Sequence, residues 1–406
     1  MNTVHVVGAG VAGLAAALAL ARAGRRVVLH EATPQAGGRC RALPDGTDNG
    51  THALMAGNRT AMAFLRDIGA REGWIEPEPT GLPVFDLADG SARRIALAPL
   101  AWRDPSRRPP GLSLRALGAL AGLAWPGRQV SVATAMRGHP ELHRALIEPL
   151  TVAALNTPAD EASVAPLGAV LRRLALPGAA RVLVAEHGLG PDLVAPAVAA
   201  LRAAGATMRT NHRLRDIAED NHRIAALDFA DGATAIGASD AVILALPPWE
   251  VERMLPGIPV PQRHAPILNL HFAHRTPGPV RFIGLLGALS QWVLVRPTGV
   301  SITVSAADDD IAWDADALAA RVWPEIRAAA LAFALPGEWP ETPPPARAVK
   351  ERRATPRHDL DPPPPPPLRP RVNLLLAGDW TYRALPATIE AAIRSGTAAA
   401  RAVLRG

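Results

Sequence analysis

The chain has 406 residues, 49% of them hydrophobic and 20% charged, with a mean hydropathy of +0.10. This composition supports a sizeable core, excludes wholesale disorder, and at roughly 150 residues per domain leaves room for two or three domains. The net charge of +6 and the pI near 10.8 point at first toward nucleic acid, but all except one of the 43 basic residues are arginine, so the pI overstates a modest imbalance and no nucleic-acid partner is inferred.

In chain order, residues 4–7 form a short apolar run that reads as a buried parallel strand, 11–23 read as a helix stopped by Gly24, and 27–30 as a second strand. Residues 2–21 carry no formal charge, yet no basic segment precedes them and their glycines recur in a fixed pattern, so they are read as strand, turn and helix rather than as a signal peptide. Cys40, the only cysteine, leaves no intramolecular disulfide or cysteine metal cluster; it suits a reducing compartment and reads as a packing residue. From about 60 to 188 helical stretches such as 142–150 alternate with Pro/Arg-rich connectors such as 103–110. An α/β texture then returns: a helix over 191–204, strands at 207–210 and 224–229 with a turn at Asp231-Gly232, and a buried strand at 240–246 that stops at Pro247-Pro248. Outside the N-terminus the longest uncharged run, 282–295, is too short to span a bilayer. A strand at 302–305 and a helix over 315–331 follow, then six prolines at 362–367 that read as a stiff polyproline II connector. The chain closes with a buried strand at 372–376, a Gly378-Asp379 turn and a helix over 388–404.

Nucleotide-binding character thus occurs three times. The predicted architecture is α/β: a discontinuous Rossmann-like domain (1–60, 187–250 and 371–406) with an α+β substrate domain (61–186 and 251–370) inserted into it.

The chemistry begins at Gly8-x-Gly10-x-x-Gly13, which follows a strand and opens a helix. Gly8 permits a tight turn, Gly10 lets backbone approach a pyrophosphate, and Gly13 permits close helix–strand packing, with Ala12 in the same first turn. Glu31 ends the second strand, where a carboxylate can bind the adenosine ribose. Gly37-Gly38-Arg39 is a second glycine pair just past that clamp, and this separates FAD from NAD: its backbone can approach the pyrophosphate while Arg39 contacts it as a cation. Near the C-terminus a buried strand ending in Gly378-Asp379 can aim a carboxylate at ribityl hydroxyls, and the helix after it can present N–H groups of Thr388 and Ile389 to the flavin pyrimidine.

The glycine motifs with Glu31 and Arg39, together with Ala-Gly-Asp-Trp at 377–380 and Pro-Ala-Thr-Ile-Glu at 386–390, resemble the FAD-dependent amine oxidase and carotenoid desaturase superfamily. Within it the hydroxysqualene dehydroxylase family is the most similar, through EATPQAGGRCR (31–41), DNGTHALMAGN (48–58), FLRDIGA (64–70), SITVSAA (301–307), ERRAT (351–355) and the segment 374–396. The resemblance covers nearly the whole chain, is looser over roughly 90–185, and departs from the family pattern where Thr355 runs directly into Pro356. It implies a bacterial flavoenzyme of squalene and hopanoid synthesis that replaces the hydroxyl of hydroxysqualene with hydrogen. It implies FAD held by Gly8, Gly10, Gly13, Glu31, Gly38, Arg39, Asp379 and Ile389, with a backbone contact to adenine at Leu214. It also implies a lipophilic isoprenoid substrate, a cytoplasmic or peripheral inner-membrane location, and association with upstream squalene-pathway synthases. An isoprenoid desaturase and a non-catalytic lipid-binding protein on the same fold are alternatives. An amine oxidase fits less well: many use a lysine near the flavin N5 in mid-chain, and Lys350 is the only lysine.

Loss of an allylic hydroxyl needs a proton or a strong hydrogen bond at the leaving oxygen. His52 and Asp379 are the nearest titratable groups; His52 reads either as the proton donor or as a packing or flavin-edge hydrogen-bonding residue, and Trp380 and Tyr382 either line the flavin face, where their rings can stabilise a cation, or pack near the flavin. No metal site is inferred. His139 and His143 lack a third ligand, and Asp308–Asp310 with Asp314 read as capping and solvated carboxylates. Finally, residues 91–128 hold seven arginines against Asp104 alone, a balance equal to the net +6 of the whole chain. That segment reads either as a solvated arginine-rich surface or as a docking face for an anionic membrane, and charge reversal at Arg107 and Arg108 should weaken liposome binding under the second reading.

Overall fold

The computed structural model describes residues 2–125, 127 and 129–406; Arg128 of the arginine-rich segment lies outside them. Five parallel strands form the nucleotide sheet, in the order Leu374–Leu376, Ala241–Leu244, Thr3–Val7, Arg26–His30 and Thr207–Arg209. Its strands are short and apolar because both faces are covered. The helix Val11–Arg22 packs on the sheet, and the helix Ile389–Leu404 packs on that helix. The helix Arg59–Asp67 and residues through Trp74 share this core.

The second sheet has seven strands, ordered Ala346–Pro356, His264–Phe272, Gly299–Ser305, Trp292–Arg296, Arg281–Leu286, Leu82–Asp86 and Ser91–Ile95. Neighbours are antiparallel except Arg281–Leu286 beside Leu82–Asp86. Its side chains alternate between two cores. Phe282 and Leu294 join a helical layer that includes Leu114–Ala124 and Val164–Leu174, whereas Ile283, Val293 and Val295 face the helix Ala315–Ala332. Asp314 caps that last helix through Ala317 N, in line with the capping reading.

Two departures from the sequence reading are local. The region 142–150 and the helix near 191 each contain a π-helical turn, at His143–Ile147 and Gly190–Val194. Leu214–Asp220 is a strand in a three-stranded antiparallel meander with Arg223–Phe229 and Gly232–Ala235. The six prolines carry neither helix nor strand.

Glycines set the closest approaches. A Cβ on Gly13 would lie 1.8 Å from Gly8 O, and one on Gly396 would lie 2.1 Å from Ala12 O. Gly396→Ala must therefore push the C-terminal helix away from the N-terminal one. It is expected to cost about 1–3 kcal/mol in urea unfolding and to lower the fraction of protein purified with bound flavin.

Below the first strands, three imidazoles form a buried row. His212 Nε2–H donates to Asp231 Oδ1 at 2.8 Å, which leaves its Nδ1 to accept from His30 Nδ1–H at 3.0 Å. His30 Nε2 then accepts from His5 Nδ1–H at 3.1 Å, and Phe229 stacks on both His30 and His212. Burial, then the neighbouring His5 and His212, push His30 down to about 3. An unfolded imidazole protonates below about 6.5 while folded His30 stays neutral, so stability is intact above that pH and is lost as pH falls toward 3. His30 alone is expected to cost about 2 kcal/mol between pH 7 and pH 5, and His30→Gln should flatten the urea-stability profile over that window.

Candidate active site

The dinucleotide end of the site is built from backbone. Gly8 sits at φ +100° with its N–H on His30 O at 2.8 Å, and a Cβ there would strike Ala245 O at 2.4 Å. The first helical bond runs from Leu14 N to Gly10 O, so the N–H groups of Val11, Ala12 and Gly13 precede the ladder, and no side chain caps them. A Cβ on Gly10 would meet nothing within 4 Å. An uncapped helix N-terminus facing open space is what a pyrophosphate requires. Gly37 and Gly38, at φ +115° and +55°, fold against this turn: Gly37 N donates to Ala9 O at 2.8 Å, and a Cβ on Gly38 would lie 3.1 Å from Gly10 Cα. The two glycine pairs thus form one cradle.

Glu31 is buried at the end of its strand. Its Oε2 accepts from Ala9 N at 2.9 Å, and its Oε1 accepts from Thr33 N and Oγ1 at 2.9 and 2.7 Å. The carboxylate therefore braces the glycine turn, and only its remaining lone pairs are left for a ribose. Leu214, buried at the start of the meander, follows His212, whose N–H binds Glu31 O at 2.8 Å. This places Leu214 next to the expected adenosine end.

Arg39 is positioned differently from the sequence expectation. Its guanidinium is committed to protein: Nη2 donates to Asp379 Oδ2 at 2.6 Å and Nη1 to Ala354 O. The side chain nevertheless keeps 41% of its surface accessible. Burial opposes its charge, and Asp379 outweighs that and holds the pKa above its usual value. Asp379 Oδ1 accepts from its neighbour Trp380 N at 3.0 Å. Gly378, at φ +149°, makes the turn that presents this carboxylate, and its N–H is held by Ser395 Oγ at 2.9 Å. Thr388 caps the last helix through Ala391 N at 3.2 Å, so the free first-turn donors are those of Ile389 and Glu390. The Glu390 side chain is fully buried and turned away, accepting from Thr60 N, Ala61 N and Arg394.

His52 donates from Nδ1 to Gly50 O at 3.0 Å, leaving Nε2 free of a proton in the neutral ring. Burial lowers its pKa, and the Gly50 carbonyl and Asp48 partly oppose that. Trp380 differs from its expected place. Trp380 is buried in the core with Leu214, Leu244 and Leu376, and its indole N–H binds Leu246 O at 3.0 Å, so it supports the turn from behind. Tyr382 is half-buried and faces Arg394, whose guanidinium carbon lies 5.8 Å from the ring centroid. Cys40 packs as expected; burial pushes its thiol up to about 12.

The sequence reading missed two histidines. His358 Nε2 accepts from Ala387 N at 3.3 Å, beside the Thr388 helix start, and burial drives it down to about 4 against the pull of Asp379. His264 carries a buried Nε2 with no partner and meets Trp249, over which Arg353 stacks at 4.4 Å. The one available signal was Pro247-Pro248-Trp249, placed where a buried strand ends at the edge of the cradle. An uncapped helix N-terminus over a glycine cradle, with the Asp379 carboxylate at the end of the adjoining strand, fits a dinucleotide flavin. Among the described residues no histidine, cysteine and carboxylate group could hold a metal ion, and no helix is long and apolar enough to cross a membrane.

Comparison with known proteins agrees with this geometry. The model of the flavin containing amine oxidoreductase family matches residues 11–404. A hydroxysqualene dehydroxylase of Rhodopseudomonas palustris is 38% identical over 99% of this chain and 98% of its own; that of Sinorhizobium fredii is 37% identical over 98% and 97%. One from Zymomonas mobilis is 33% identical, with 98% of each chain covered. Among solved structures, putrescine oxidase bound to putrescine superposes with a TM-score of 0.72 at 16% identity, covering 100% of this chain and 99% of that one. Cyclohexylamine oxidase from Brevibacterium oxydans gives 0.69 at 17%, with the same coverage. These two show the fold. The chain belongs to the flavin-containing amine oxidoreductase family and, within it, to the hydroxysqualene dehydroxylases.

Proposed function

We propose that the protein is an FAD-dependent oxidoreductase that converts hydroxysqualene to squalene. The observation that carries this reading is the 33–38% identity to three hydroxysqualene dehydroxylases over almost the full chain. The residues suit FAD: Gly8, Gly10, Ala12 and Gly13 with Gly37 and Gly38 would hold the pyrophosphate, Glu31 and Leu214 the adenosine end, Asp379 the ribityl chain, and the N–H groups at the start of the last helix the pyrimidine. When bound and reduced, FAD supplies a hydride.

The chain must do the rest. The allylic C–O bond breaks, the oxygen leaves as water after taking a proton, and the carbon takes the hydride. His52 is assigned the proton. Its Nδ1–H is fixed on Gly50 O, so a proton gained at Nε2 can be passed to the leaving hydroxyl. Burial lowers its pKa, so the protonated form is the minor one at neutral pH and gives up its proton more readily than a free imidazolium. Arg39 neutralises Asp379, so a carboxylate can remain in an apolar space without an uncompensated charge. Lys350 is turned toward Trp313 O on an outer strand, which removes it from the flavin-side role that lysine has in many amine oxidases.

Photoreduced, FAD-loaded protein incubated anaerobically with hydroxysqualene is expected to yield squalene, identified by mass spectrometry; no product from the reduced enzyme, with an added double bond formed by the oxidised enzyme, would instead mean a desaturase. With the same assay, wild-type kcat should climb as pH falls from 7, by up to about tenfold per unit. His52→Ala should retain FAD, lose about 10²–10⁴ in kcat and lose that climb. Unchanged turnover in the flavin-loaded variant would remove His52 from the acid role.

A further inference from the structure

A second surface lies far from the glycine cradle in sequence and shares none of its residues. Eleven large apolar side chains are exposed among the described residues, and four of them fall between 100 and 125: Leu100 at 60%, Leu114 at 88%, Leu117 at 38% and Trp125 at 72%. The helix Leu114–Ala124 explains the arrangement. Positions 114, 117, 118, 121 and 125 recur at helical spacing and are all exposed, while Ala116 and Leu123 on the other face are buried. The helix is pinned on that buried face by Val164–Leu174: a Cβ on Gly168 would lie 2.5 Å from Leu123 O, and Arg172 binds Ala124 O. Its outer face carries no carboxylate and no partner within the chain. Just past Val164–Leu174, Leu176 is also 44% exposed, and Gly178 lines one crevice with Ala98 and Ala101.

Charge lies along the same stretch. Arg93, Arg94, Arg107 and Arg108 line an open cleft of about 840 Å³ whose wall continues through Pro109 and Pro110, four residues before Leu114. Arg94 is spent on Glu78 at 3.0 Å, and Arg108 on the Trp102 and Arg103 carbonyls. Arg107 Nε is buried without a partner. Arg103 and Arg115 are exposed, and among the described residues neither meets a carboxylate. Asp104, the sole acid of the segment, is engaged by Ser106 N and Oγ at 2.9 and 2.7 Å. The expectation that Arg107 and Arg108 are the contact charges is therefore revised: one is half-buried and the other ties down backbone, whereas Arg103 and Arg115 are free.

We propose that this face, led by Leu114, Leu117 and Trp125 and flanked by Arg103 and Arg115, docks the enzyme on an anionic phospholipid bilayer. An apolar stripe bordered by unpaired arginines is the chemistry that enters a headgroup layer: the leucines and the indole bury in the acyl boundary while the guanidinium groups meet lipid phosphates. A second copy is a poor occupant, because the same cationic face would oppose itself. The biological sense of the face rests on the proposed triterpenoid substrate, which is held in membranes, but the binding itself does not.

The test is flotation of the full FAD-loaded chain with phosphatidylglycerol/phosphatidylcholine vesicles and with pure phosphatidylcholine vesicles. Wild type should favour the anionic vesicles by at least about tenfold, since each basic group near such a surface is worth roughly fivefold. Arg103→Glu/Arg115→Glu should lose that preference, and Leu114→Ser/Trp125→Ser should lose binding to both vesicle types. Both variants should keep bound flavin and wild-type kcat on detergent-dispersed hydroxysqualene. As an independent reading, Leu117→Cys labelled with an environment-sensitive dye should shift to the blue on anionic vesicles; the buried Cys40 leaves that label selective. Vesicle binding equal to wild type in both variants overturns the proposal, as does an unshifted dye or a dimer abolished by Leu114→Ser. Loss of turnover with vesicle binding intact would instead count against the proposed reaction.

Discussion

The structure depends on backbone packed against backbone where no side chain fits. Gly8 O occupies the space of a residue-13 Cβ, and Ala12 O occupies that of a residue-396 Cβ. The N-terminal helix is thereby clamped between its own entry turn and the C-terminal helix. Everything required of a dinucleotide site follows from this position. The helix N-terminus is held level with the ends of the parallel strands, Gly37 and Gly38 can fold onto Gly10, and the strand Leu374–Leu376 delivers Asp379 to the same edge. Because the contact joins the two ends of the chain, the nucleotide sheet cannot be completed until the last strand and helix are in place.

The second constraint is electrostatic. Arg39 and Asp379 are separated by 340 residues and meet at 2.6 Å. The pair spans the glycine cradle and the C-terminal turn, and it reaches Ala354 on the edge strand of the second sheet. Each charge would be costly alone in this interior, and each is tolerated because the other is present. The pair thus ties three chain segments together at the flavin site while leaving it close to neutral.

The legible parts of the fold were those where chemistry acts locally. Gly8, Gly37, Gly38 and Gly378 adopt positive φ, and Gly13 and Gly396 lie in close contacts; only glycine serves at such places, so the residue type records the geometry. The short parallel strands were readable because burial on both faces leaves an unbroken apolar run. Of the seven-stranded sheet only 302–305 was legible as a strand, since Ala346–Pro356 is a charged, half-exposed edge and Arg281–Leu286 is an apolar run without alternation. At the site, Asp379 was found through its Gly-Asp turn, but the direction of its neighbour was not. Trp380 turns back to Leu246 because its indole needs a buried acceptor, and no local pattern records where that acceptor lies. His358 and His264 escaped notice for the same reason: isolated histidines become meaningful only when the fold places them beside Asp379 and Ala387, or Trp249.

The depressed histidines and the neutral ion pair have one physical cause. An interior that holds histidines away from water is one in which an imidazolium is poorly solvated. Burial is accordingly the leading influence on His52, His264 and His358. A proton held there is costly, and it leaves readily. That suits a general acid whose task is to release a proton to a poor leaving group rather than to store one. Asp48 and Asp379 draw His52 back toward its ordinary value, and Arg39 opposes them. Had Asp379 been left without its arginine, the imidazolium beside it would be stabilised and its acidity blunted. The Arg39–Asp379 pair therefore also limits how far the carboxylate would quench His52 in its proposed acid role.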